Sequence, residues 1–380
     1  MSRTRYPVAS FVAAALLHAF ALPAGADVKV TDVGTWQTHQ RAAKVEKKGE
    51  KRARFEARST AGTVAALGTG SQALVDQSGL EYFINTNITF ATTSSASGAV
   101  SEASFTGPVQ ATTLNGGLVS TTLNDAFDGY NSLCLSASAT GPCAAGNPSY
   151  SIFNLNGAAT VDPACGGRQI LFGTQSILGL QVTRKVFVPS NDSFARWQTV
   201  MRNPTAAPIT VNVISANNLG SDANTVIDSS SSGDAAASPS DYWVSTFQNY
   251  SGTTSSDPRL AHVVWGPGGA GPTGMVFANG DDNPYWTFQV TVPAGETRIL
   301  LHFVTGQPSR AAARAKATQI AVSPLSATAA ACMTDLDRAQ VVNFGSAVAE
   351  AAVPVLGWRA LLALVAAMAA AGVAAQRRRA

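Results

Sequence analysis

Charge is scarce in this sequence, at 13% Lys, Arg, Asp and Glu over 380 residues, and there are only four histidines. With charge this sparse and close to balance, at a formal +3, a general nucleic-acid role has no electrostatic support. No C-x-x-C pair occurs among Cys134, Cys143, Cys165 and Cys332, and no histidine follows at ligand spacing, so a structural zinc site has no basis. No G-x-S-x-G elbow accompanies the histidines. The run Gly266-Pro267-Gly268-Gly269-Ala270-Gly271 lacks the lysine and helix of a phosphate-binding loop and reads as a flexible connector.

What is present is concentrated first at the ends. Arg3 and Arg5 precede an apolar run from Val8 to Leu22, which closes on Pro23-Ala24-Gly25-Ala26. That order of charge, short apolar core and small residues is a secretory signal, with cleavage expected after residue 26 by signal peptidase once the translocon has engaged it. At the other end, Val353-Pro354-Val355-Leu356-Gly357-Trp358 leads to an uncharged stretch, Ala360 to Ala375, and then to Arg377, Arg378 and Arg379. Sixteen apolar residues between a tryptophan and clustered arginines predict a membrane helix whose arginine end stays in the cytoplasm.

The motif Val353, Pro354, Val355, Leu356, then Trp358, the span and the arginines resembles the IPTL-CTERM sorting tail of Gram-negative bacteria. The resemblance covers residues 353–379 and implies an exosortase-type protease as partner, a membrane-anchored intermediate, and delivery to the cell surface or beyond, often beside exopolysaccharide. Six of the 26 basic residues belong to the two ends and no acidic residue does, so the exported part carries 20 basic against 23 acidic residues.

An even number of cysteines in an exported chain reads as two disulfides. Three pairings exist. Cys134 and Cys143 bracket a Gly-Pro turn and favour a local bridge, which leaves Cys165 for Cys332.

Residues 27–60 form a basic leader of partly helical character, with eight Lys or Arg between positions 41 and 58. From 61 to 306 short runs rich in β-branched and aromatic residues, such as Glu81 to Phe90, alternate with Gly, Ser, Asn and Pro clusters. That many short strands predict a mainly β protein, a large antiparallel sandwich. Loops at 229–240, 251–257 and 266–274 read as mobile. After Pro308 the period changes, and 309–321 and 327–344 predict helices packed on the sheets, with 346–352 as a linker to the tail at 353–380.

Within 180–321, Gln181 to Pro189, Ala195-Arg196-Trp197, Val292 to Thr297 and Phe303 to Gly306 resemble the β-supersandwich domain of galactose-mutarotase type. The resemblance implies a fold used by carbohydrate-active enzymes, without the helical barrel that carries catalysis in some of them. An immunoglobulin-like pair is the other architecture open.

A mutarotase-like reaction needs a histidine base and a carboxylic acid in one cleft; His262 or His302 with Asp241 or Asp281 are the candidates, though nothing in their spacing requires it. Oxygen-bearing side chains cluster at Asp125 to Asn131 and again at Asn279, Asp281, Asp282 and Asn283. Both stretches suit turns, and both offer ligands for a weak calcium site, the one cofactor the sequence suggests. With Trp286 beside them, Asp281 to Asn283 are also candidates for a glycan contact. Two functions follow: a non-enzymatic surface or matrix protein associated with exopolysaccharide, or a carbohydrate-binding or carbohydrate-active sandwich.

Overall fold

The fold is that of a computed structural model describing residues 70–87, 96–143, 146–155, 159–252 and 254–345. The signal, the leader and the sorting tail, including the expected membrane helix, lie outside these residues. Two broad sheets account for most of the described chain. In the first, the order is β1 (Gly70–Val75), β2 (Leu80–Asn87), β3 (Val100–Phe105), β6 (Phe127–Ser136), β13 (Ile209–Leu219), β18 (Asp281–Val292) and β17 (Gly274–Ala278), with β7 (Ser151–Ile152) against β6. In the second it is β14 (Thr225–Ser230), β15 (Trp243–Gln248), β16 (Arg259–Val263), β19 (Thr297–Gln307), β12 (Ala195–Arg202), β11 (Leu180–Phe187), β9 (Gln169–Leu171) and β8 (Thr160–Val161), with β10 (Gln175–Ile177) against β11. A separate ribbon pairs β4 (Val109–Thr112) with β5 (Leu118–Thr121). All strand pairs are antiparallel.

Alternation decides which face each side chain takes. On β12, Ala195, Trp197 and Met201 enter the core between the sheets, together with Leu300 and Val304 of β19 and Val213 and Phe288 of the first sheet. The opposite face of the second sheet is also apolar, carrying Phe194, Ile299, Leu301 and Phe303. A strand buried on both faces needs a second cover. Here the cover is the chain after residue 307.

Ser309 caps α1 (Arg310–Ile320) by accepting from Ala312 N, within the stretch 309–321 expected to be helical. Arg310, Ala313, Ala317 and Ile320 face the sheet, and the small alanines let the helix lie close. Arg314 pairs with Asp228 of β14 at 2.7 Å.

The helix expected over 327–344 is not there. Cys332 takes a left-handed backbone (φ 60°) and joins Cys165, which turns the chain away. Only α2 (Asp335–Ala339) remains, restarted by a capping box between Thr334 and Asp337. Residues 341–343 then run beside β19. After Val263, β16 leaves β19, and these residues take its place: Val341 bridges Ile299 in parallel. The Asn343 side chain accepts from Leu301 N at 2.9 Å and donates to Val264 O and Leu301 O, acting as a piece of strand backbone.

The glycine-rich loop at 266–271 is part of the same joint rather than a loose connector. Gly266 N and Ala270 N donate to Asn343 O and Val342 O. A Cβ on Gly269 would lie 2.2 Å from Asn343 C, so only glycine permits the approach. The 229–240 loop is likewise tied, by Asp234 and Asp241 to the serines around them.

Both disulfides are those the spacing favours. Cys134–Cys143 closes a short loop on the outer face of the first sheet, and Cys165–Cys332 links the start of the second sheet to the C-terminal cover. Arg196 completes that link: alternation points it outward, where it donates to Ala329 O at 2.7 Å, Ala331 O at 2.6 Å and Gln169 Oε1 at 3.2 Å.

Candidate functional site

His262 and His302 lie in the core between the sheets, at 0% and 2% exposure. Tyr130 OH lies 2.8 Å from His262 Nδ1, and Thr246 Oγ1 lies 2.9 Å from Nε2, so both ring nitrogens are engaged. Burial pushes the His262 imidazole down to about 3. His302 is pushed down to about 3 by burial and by the nearby charge of Arg184. Both rings are therefore neutral at any physiological pH.

Neither candidate carboxylate reaches them. Asp241 accepts from Ser232 N, Ser238 N, and the hydroxyls of Ser231 and Ser238, which clasp its own loop. Burial works against that carboxyl, but the serine hydrogen bonds outweigh it and hold it below the usual range. Asp281 accepts from Asn283 N at 2.9 Å within a hairpin turn. No histidine–carboxylate pair forms from these residues.

Among the described residues, Trp286, Trp265 and Trp197 are structural too. Trp286 is 1% exposed, so its ring cannot stack on a sugar, which corrects its reading as a glycan contact. Trp265 donates to Asp241 O at 2.7 Å and meets Tyr242 edge to face, and Trp197 donates to Gly98 O at 2.7 Å.

One end of the sandwich carries polar chemistry that remains accessible. Asn279-Gly280 forms the two-residue turn between β17 and β18, with Gly280 at φ 83°. Asn279 Oδ1 accepts from Ile227 N at 2.8 Å and Gly280 N donates to Thr225 O, which fasten the hairpin to the edge of the second sheet. The turn at 220–224 meets the same place. Asn224, Thr225, Val226, Asn249, Asn279 and Gly280 line a small cleft there.

Carboxylates from three parts of the chain lie near enough beside it to act on Asp282 through their charge. Asp282, half-buried, is pushed up to about 6, first by burial and then by the charges of Asp222, Asp281 and Asp128. The structure thus brings together the two oxygen-rich stretches, 125–131 and 279–283, and adds Asp222. Asp128 itself lies in β6, a central strand, and not in the turn expected there. Among the described residues no three His, Cys, Asp or Glu side chains converge as a metal cage. Asn279 sits in the turn, while Asp281, Asp282 and Asn283 open strand β18, with Asp282 half-buried; Asp222, Asn224 and Asn249 were not foreseen. The clue to Asp222 and Asn224 was the Gly-Ser-Asp-Ala-Asn run at 220–224, a turn signal of the same composition.

A carboxyl whose folded pKa is raised binds its proton more tightly folded than unfolded, so it lowers stability as pH rises from about 4 to 6, and fully above that. Asp282→Asn is expected to raise the melting temperature at pH 7.5 and to leave it unchanged at pH 3.5. Parallel melting curves for the two proteins at both pH values would refute the shift.

Comparison with known proteins gives no match to a family model and none to a curated protein. Among solved structures the chain is similar to a polysaccharide lyase (11% identity, TM-score 0.36), over 67% of this chain and 35% of that one. It is similar also to a protein assigned as a kojibiose phosphorylase, from the human microbiome (11%, 0.37, over 70% and 34%). A third is a protein assigned as an aldose 1-epimerase, from Klebsiella pneumoniae (10%, 0.35, over 70% and 83%). The chain spans about a third of the length of the first two. Likeness of this degree assigns no activity.

Proposed function

We propose that the chain is an exported β-sandwich protein that binds carbohydrate at the acid and amide end of the sandwich, and that its C-terminal tail sorts it to the cell surface. The observation that carries the binding half is the cleft of Asn224, Asn249, Asn279 and Thr225 beside Asp281, Asp282 and Asp222. Carboxylates accept from sugar hydroxyls and amides both donate and accept, so this set matches a polyhydroxyl ligand with little net charge. Exopolysaccharide of the producing cell is the ligand class that agrees with the tail. Calcium at Asp281 and Asp282 would bridge sugar oxygens in such a site.

The export half rests on the end signals, and the two disulfides suit an oxidising compartment. The architecture, in turn, we read as a supersandwich of galactose-mutarotase type. Sheets of eight and nine strands are each as large as an entire immunoglobulin-like domain. A second reading, a structural matrix protein with no ligand, draws on the same disulfides and on the buried histidines.

The mature protein, purified from its own cells, tests both halves. Its mass is expected to begin at Asp27 and to exclude Arg377 to Arg379; retention of those arginines would rule out tail removal. On a polysaccharide array it is expected to bind, and Asp282→Asn to bind about tenfold more weakly or worse while folding more stably at neutral pH. Binding that ignores Asp282→Asn, or no binding at all, would leave the structural reading standing.

A further inference from the structure

The polar layer between the sheets holds an excess of hydrogen-bond donors around one buried positive charge. Alternation along β11 turns Arg184 inward between Val182 and Val186, where it is 0% exposed. Its Nη2 donates to both the backbone and the side-chain oxygen of Asn131. Its Nε and Nη1 have no partner, and no ion pair includes Arg184 among the described residues. Asn131 Nδ2, Trp286 Nε1 and His302 Nε2 also stand unpartnered in this layer. His302 Nδ1 meets Ser215 Oγ at 3.2 Å, and when it accepts that hydroxyl the proton resides on Nε2. The rings of His302 and Trp286 are edge to face, with centroids 5.5 Å apart, and the imidazole senses the Arg184 charge.

These idle atoms are all nitrogens that offer a hydrogen. A buried charge without a counter-charge is costly, and so is a buried donor without an acceptor. One occupant relieves both deficits. We propose that the centre of the sandwich holds a single small monovalent anion, of the size of chloride, against the Arg184 guanidinium. A water molecule would satisfy donors but leave the charge uncompensated. A divalent anion would replace an excess of positive charge by an excess of negative charge. A carboxylate on a polymer cannot enter, because Arg184, His302 and Trp286 are closed in from both sheets. Gly98 seals the arginine: a Cβ there would lie 3.1 Å from Arg184 Cδ.

The site is separate from the cleft at the sandwich end, so its test does not depend on carbohydrate binding. Melting temperature is measured on the mature protein as sodium chloride replaces sodium gluconate at constant ionic strength. A saturable rise of about 5 °C is expected, and Arg184→Met, which keeps the bulk and removes the charge, is expected to show none. Identical curves in chloride and gluconate would overturn the proposal, as would an undiminished chloride response in Arg184→Met. Should that variant fail to fold, crystals grown in bromide decide the matter. An anomalous peak in contact with the Arg184 guanidinium supports the site, and its absence at full bromide exchange refutes it.

Discussion

Replacing Cys165 and Cys332 together by serine is expected to cost on the order of 5 kcal/mol of folding free energy, at least about a third of the stability of an ordinary domain. The bridge spans 167 residues of sequence, and on the chain-entropy account the cost of losing a cross-link grows with the loop it closes. Cys134–Cys143, separated by 9, is worth about 3 kcal/mol on the same account. The ranking does not rest on entropy alone. Cys332 anchors the segment that fills the gap beside β19, and Arg196 holds carbonyls on both sides of Ala330. Without the bridge, those buried carbonyls and the Arg196 guanidinium lose their fixed partners together. Urea unfolding of the double variant beside Cys134→Ser/Cys143→Ser measures both. A smaller loss for the long-loop pair than for the short one would mean that the C-terminal cover holds without its bridge.

The sheets were legible because most strands carry apolar and β-branched residues at alternate positions. Strands β1, β3, β6 and β14 are not legible in this way, for two physical reasons. β6 contains Gly129, Asn131, Ser132 and Cys134 and is almost wholly buried, so it shows no alternation and reads as a turn followed by a loop. β1, β3 and β14 are short and interrupt their apolar residues with Ser together with Ala, Gln or an acidic residue, which weakens the local strand signal. The error over 327–344 is of another kind. Alanine-rich composition predicts helix, but a disulfide and an open strand edge offered that chain better contacts, and tertiary packing overrode propensity. The inward Arg184 was open to deduction from Val182-Thr183-Arg184-Lys185-Val186, where alternation puts the arginine on the apolar face. The acidic end could not be deduced, since nothing local in sequence says that positions near 128, 222 and 282 meet.

What makes them meet is a single close approach of backbones, and Gly220→Ala is expected to break it. A Cβ at Gly220 would stand 1.6 Å from Asp125 O and 2.4 Å from Asp125 C, and Gly220 N donates to Ala126 O at 3.0 Å. No rotamer relieves a clash with a main-chain carbonyl, so the 124–126 segment and the 220–224 turn must separate. Overpacking of this kind costs about 3 kcal/mol or more when backbone has to move. The effect on the site follows from the same displacement. Asp125 and Asp222 both hold left-handed backbones (φ 67° and 50°) on either side of the contact, and Asp128 and Asp222 are two of the charges that raise Asp282. As they recede, the Asp282 carboxyl should titrate nearer its ordinary value, and the loss of stability should be smaller at pH 7.5 than at pH 3.5, because less of the native repulsion remains to be relieved. Carboxyl NMR titration of Gly220→Ala, with melting curves at both pH values, checks the two consequences separately. An unchanged Asp282 titration in a destabilised variant would show that burial alone sets its acidity, and that the carboxylates at this end do not act as one group.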